Sequence, residues 1–225
     1  MADVIQPPVQ GLIAHFNLAD WWLSAFSAEE RDWIESEHSK GTLTIGQANP
    51  RPLTTGTFVQ MNPAVTMHSL TSTRLLHEIA CAVYRRSREK ALGVFHKAEE
   101  DGLSKLHLHP KYIVDLHFVY HSMIELNYRD REQFRDALEI AVGACRKQIA
   151  LAPRAAEVFK REWKLIPRPV GFWQLAVILE KQGNYNEAIA LATQAFGARM
   201  GRRLGEADRQ VQAEAGPQNV DGPLM

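Results

Sequence analysis

The chain of 225 residues has few cysteines, no net charge and no long apolar run. Only Cys81 and Cys145 occur, each inside an apolar helical pattern, which excludes a disulfide framework and points to buried free thiols of a reducing compartment. The 26 basic and 26 acidic residues cancel, so no overall field favours nucleic acid, an anionic membrane or a strongly charged substrate. No stretch approaches the roughly 18 consecutive apolar residues of a membrane span. Met1 to Gln10 carries an acidic residue and two prolines where a signal peptide would place a basic segment and an apolar run. A cytoplasmic protein is the expectation. Glycine-rich phosphate loops and nucleophile elbows are missing, and neither cysteine is read as having the local charge partner that would make it reactive. No catalytic residue and no cofactor are therefore called for.

What is present is helical periodicity. Leu18, Trp21, Trp22, Ala25 and Phe26 recur at spacings of three and four, an aromatic face that anchors an N-terminal unit over residues 1–40. Ser27 and Glu30 form a capping-box pattern, so a helix is expected from Ala28 to about Ser39. Residues 41–63 are rich in Gly, Thr, Asn and Pro and read as a long loop, itself a candidate contact surface. Periodicity returns near Met67 and runs to about Glu100, interrupted by Arg85-Arg86-Ser87-Arg88-Glu89-Lys90. That basic run reads as a solvated face or a bend between two helices. The pattern is expected to stop at Asp101-Gly102, and the end of the chain, 201–225, is too polar to order itself.

The stretch from Gly171 to Phe196 splits into two amphipathic halves around Gly183-Asn184, a pair that permits a tight helix-to-helix turn. Ala176 and Ala188 are small where two helices must approach closely, and Leu175, Leu179, Ile189 and Phe196 are expected to fill the groove around them. The string Gln182-Gly183-Asn184-Tyr185-Asn186-Glu187-Ala188-Ile189 resembles the turn and second-helix start of a tetratricopeptide repeat. A degenerate copy spans Leu116 to Ala150, with Tyr128 and Phe134 flanking the turn, Ala137, Leu138, Ala141 and Ala144 lining the second helix, and Pro153 closing it. Arg154 to Lys164 would then be an inserted helix or connector. The resemblance implies an all-α fold in which tetratricopeptide-like helical hairpins form a short right-handed solenoid over 64–200, behind the N-terminal helical unit.

Such hairpins present the inner face of their first helices to a partner. The matching positions here are Val170, Trp173, Val177, Glu180 and Lys181 in the clear copy, and Val119, Ser122, Leu126, Arg129 and Asp130 in the degenerate one. Members that clamp a C-terminal carboxylate place lysine and asparagine at these positions, whereas this chain has tryptophan and valine. The implied partner is a protein or peptide with an apolar or amphipathic segment, bound with Trp173 as anchor. The competing reading has Trp173 and Val177 covered by the chain's own segment around Trp163.

One constellation suggests chemistry. His107 and His109 precede a helix that carries His117 and His121 one turn apart, a spacing at which two imidazoles can share a metal. Phe118 stands where the zinc-peptidase pattern has its glutamate base, so the four read as packing residues and no metal is expected. The sequence thus favours a protein-binding adaptor or regulatory subunit. A metal-dependent hydrolase centred on the four histidines and a self-associating structural protein are the alternatives, with no nucleic acid and no membrane among the expected partners.

Overall fold

The computed structural model describes residues 11–39, 70–163, 167 and 170–195. These are helical, with no strand among the described residues. The chain divides into two compact units, Met1–Pro167 and Arg168–Met225. The division falls inside the segment that sequence assigns to one hairpin domain, so the clear and degenerate hairpins lie in different units. The 41–63 loop, the 201–225 tail and Phe196 lie outside the described residues, as does the side chain of Trp163.

In the first unit, short helices α1 (Gly11–His15) and α2 (Ala19–Ala25) are separated by Asn17 at φ 57°, a left-handed turn that asparagine tolerates. Trp22, Phe26, Leu12, Ile13 and Leu18 are buried, and the Trp21 ring meets Phe26 edge-on. Helix α3 (Ala28–Ser39) begins with the expected reciprocal cap: the Ser27 amide donates to Glu30 Oε2 at 2.8 Å and the Glu30 amide to Ser27 Oγ at 3.3 Å.

The bundle proper comprises α4 (Ser72–Tyr84), α5 (Arg88–Ser104), α6 (Lys111–Arg129) and α7 (Ala137–Trp163). Thr71 caps α4 through the Arg74 amide, and Ser87 caps α5 through the Lys90 amide. The basic run is therefore the turn between two helices. Short turns make α4 and α5, and α6 and α7, close neighbours, while α6 also packs on α4 and α5. Leu75, Leu76, Ile79, Phe95, Leu116, Val119 and Ile124 fill the centre.

Two expectations are corrected. Helix α5 continues past Asp101-Gly102, because Gly102 marks close packing instead of a stop: a Cβ there would stand 2.7 Å from Leu116 Cγ and Cδ2. Helix α7 runs unbroken through Pro153, so no separate element begins at Arg154. A proline inside a helix removes one backbone donor and crowds the preceding turn. Pro153 lies on the solvent-exposed side, where water can meet the carbonyl it leaves unpaired.

The second unit is a hairpin of α8 (Val170–Lys181) and α9 (residues 185–195). Gly183 turns the chain at φ 79°, as the Gly-Asn pair requires, and the Asn184 amide donates to the Leu179 carbonyl. Phe172, Leu175, Ile178 and Leu179 of α8 are buried. On α9, Ala188 is half-buried, but Ile189 is 63% exposed, so it does not fill the groove expected of it.

Candidate functional site

The groups predicted from sequence separate into three sets. Val119 is fully buried in the bundle and offers no surface. Ser122 is hydrogen-bonded to His77, the Leu126 carbonyl accepts from the Tyr84 hydroxyl at 3.3 Å, and the exposed Arg129 pairs with Asp130 at 2.8 Å. The degenerate copy's expected face is thus largely turned into its own bundle. In the second unit, Trp173 is 62% exposed, Glu180 and Lys181 are exposed, and Val177 is half-buried. Tyr185, 61% exposed, and Ile189 stand four residues apart on α9, on one side of that helix.

The four histidines do not form one group. The exposed His109 accepts the Lys111 amide through Nδ1, and His107 is exposed in the preceding turn. His121 pairs with Glu125 at 3.2 Å. His117 is buried, its ring edge-on to Phe118 and Phe159, with Nδ1 unpartnered. Burial, then the neighbouring His121, lowers its pKa to about 4. Among the described residues no three His, Cys, Asp or Glu side chains converge as a metal would require. The hydrolase alternative on these histidines therefore has no assembled site.

A different polar strip lies between α4 and α6. Thr71, Arg74, His77, Glu78 and Cys81 recur at helical spacing on α4, opposite Asp115, Phe118 and Ser122 on α6. The Thr71 hydroxyl donates to Asp115 Oδ2 at 2.6 Å while accepting the Arg74 amide at 3.0 Å. Arg74 pairs with Glu78 at 2.5 Å and lies over the Phe118 ring. His77 Nε2 is 2.8 Å from Ser122 Oγ and 3.5 Å from Cys81 Sγ, and its Nδ1 has no hydrogen-bond partner. Glu78 Oε1 stands 3.9 Å from that Nδ1. Arg74, His77 and Glu78 were missed in the sequence, although their helical spacing in and beside the apolar run Leu75 to Ala82 carried a signal, and Cys81 was read there only as a buried thiol.

The electrostatics decide what this strip does at neutral pH. Burial, with Arg74 and His121 nearby, lowers the His77 pKa to about 3. Burial likewise raises the Cys81 thiol to about 11, Asp115 to about 6, and Glu78 above its usual range. Ser122, His77 and Glu78 have the order of a nucleophile, base and orienting acid. An imidazole with so low a pKa is a poor proton acceptor, and 3.9 Å is too long for the orienting bond. Cys81 and His77 are likewise both neutral, so no thiolate–imidazolium pair forms. The strip ties helices together without an activated nucleophile.

Comparison with protein-family models, with curated proteins and with solved structures returns no match to this chain. The functional reading rests on its own residues.

Proposed function

We propose that the chain is a protein-binding adaptor or regulatory subunit, and that its C-terminal hairpin is a tetratricopeptide-like unit that meets a partner through apolar side chains. One observation carries this reading: Trp173, Tyr185 and Ile189, three large apolar residues of a two-helix unit, are each more than 60% exposed. Single exposed apolar residues are ordinary, but three on one small hairpin are a feature that a solenoid repeat explains, because each such repeat buries its faces only against neighbours. The partner that fits is a protein segment with an apolar or amphipathic face, such as a helix laid against α8 or α9. Among the described residues of the first unit, the buried acids Asp115, Asp101 and Glu99 are hydrogen-bonded across helices.

The test is affinity capture with the full chain as bait, comparing wild type with the double variant Tyr185→Ser, Ile189→Ser. A protein enriched by the wild type and lost with the variant, at unchanged helix content, supports the reading. Equal capture by both removes α9 from the binding surface. A defined mass of two chains in solution, abolished by the same variant, would favour self-association instead.

A further inference from the structure

We propose that α3 is a releasable acidic strap, held by charge over the basic turn between α4 and α5. The two surfaces are complementary in sequence. Helix α3 carries Glu29, Glu30, Asp32, Glu35 and Glu37 against one arginine, while Arg85, Arg86 and Lys90 stand together at the turn, in a chain whose charges cancel overall. Helix α3 packs on α4, and cations of the turn meet it directly. The Lys90 ammonium pairs with the Glu30 carboxylate, and the Arg86 guanidinium lies over the Trp33 ring, 4.3 Å from its centre.

The second observation is how little apolar packing holds α3. Ile34 is its one buried side chain among those described, whereas α4, of 13 residues, buries eleven. A short helix draws most of its stability from the face it packs, so with a single buried residue the surface contacts decide whether α3 stays in place. Those contacts face water. The Lys90 and Glu30 side chains are 44% and 31% exposed, and an exposed pair of this kind is weak and screened by salt. The docked and released forms therefore lie close in free energy, and ionic strength shifts the balance between them.

Glu30 couples the strap to its own helix. Its Oε2 accepts the Ser27 amide that starts α3, and its Oε1 accepts from Lys90, so one carboxylate both begins the helix and fastens it to the turn. Losing Lys90 loosens both. Arg31 does not oppose the attraction, because its Nη1 is turned to the Phe26 and Leu23 carbonyls at the end of α2. Release uncovers the Arg86 guanidinium, the Lys90 ammonium and the Trp33 ring together, and a released α3 has too little packing to keep its amides protected.

Amide hydrogen exchange of the full chain, read by mass spectrometry, tests this. At low salt, peptides from α3 should exchange faster than those from α4, and about 1 M NaCl should speed α3 by a further roughly two- to fivefold while α4 and α6 stay unchanged. Lys90→Glu, which sets a like charge beside Glu30, should speed α3 at low salt by at least about threefold and remove its salt response. Lys90→Arg should keep the wild-type behaviour. Arg146→Glu makes the same change of charge on an exposed position of α7 and should leave α3 unaffected. Exchange of α3 as slow as that of α4 at both salt concentrations, or an equal response to Lys90→Glu and Arg146→Glu, would make α3 a fixed part of the bundle and overturn the proposal.

Discussion

Replacing Gly102 by alanine sets two effects of known size against each other. In a helix interior, alanine is favoured over glycine by about 1 kcal/mol, because glycine loses more backbone freedom on folding. At Gly102 the added Cβ would meet Leu116 Cγ and Cδ2 at 2.7 Å and Thr73 Cγ2 at 3.1 Å. Leu116 is fully buried, and its Cγ cannot swing aside as the tip of a flexible chain would. Overpacking of this kind costs roughly 1 to 3 kcal/mol, which exceeds the gain in propensity. Gly102→Ala should therefore destabilise by up to about 2 kcal/mol, a fall in Tm of several degrees for a chain of this size. Gly93 and Gly143 are internal controls, since a Cβ at either meets nothing within 4 Å. Gly93→Ala and Gly143→Ala should stabilise by up to about 1 kcal/mol. Urea unfolding followed by circular dichroism reads all three. A Gly102→Ala variant as stable as Gly93→Ala would mean that α5 and α6 do not approach as described.

Other consequences follow from buried titrating groups. His117, depressed to about 4, takes up its proton more readily when unfolded, so it stabilises the fold above pH 6.5 and that contribution is lost as pH falls towards 4. His117→Phe should flatten the fall in stability over this window, and an unchanged pH profile would place the ring in solvent. Asp115 acts in the opposite sense: its pKa, raised to about 6, means that stability falls as pH rises from 3.8 to 6. Asp115→Asn should gain on the wild type across that window by an amount on the order of 3 kcal/mol at pH 7, and a gap independent of pH would refute a buried carboxyl there. Thr71→Ala removes both the α4 cap and the Asp115 bond, and should cost about 1 to 2 kcal/mol in chemical denaturation. No loss would show that neither bond persists in solution.

Much of the helical pattern could be read from local chemistry. Ser27 and Glu30 announced α3 because a capping box is completed within four residues, and Gly183-Asn184 announced the α8–α9 turn because few other pairs accept its backbone. Gly102 and Pro153 misled because their roles are tertiary. Gly102 is small to admit Leu116, fourteen positions along the chain, and Pro153 is tolerated by the side of the helix it occupies. The same limit applied to the polar strip. His77 and Cys81 are neighbours on one helix, but only the packing of α6 on α4 brings Ser122 to them. Val119 was assigned to a binding face from the repeat resemblance, but it is fully buried in the bundle, which one chain's sequence pattern did not reveal.

The central claim, partner binding through the C-terminal hairpin, is tested most directly by Trp173→Ala measured two ways on one preparation. Trp173 is 62% exposed, so truncation should leave Tm within the small range of surface substitutions. If it anchors an interface, the loss is typically 2 kcal/mol or more, or roughly thirtyfold weaker capture of the partner. Unchanged Tm with capture weakened to that degree is the result the account predicts. Unchanged Tm with unchanged capture, or a loss of about 3 to 5 kcal/mol of stability as for a core tryptophan, would contradict it.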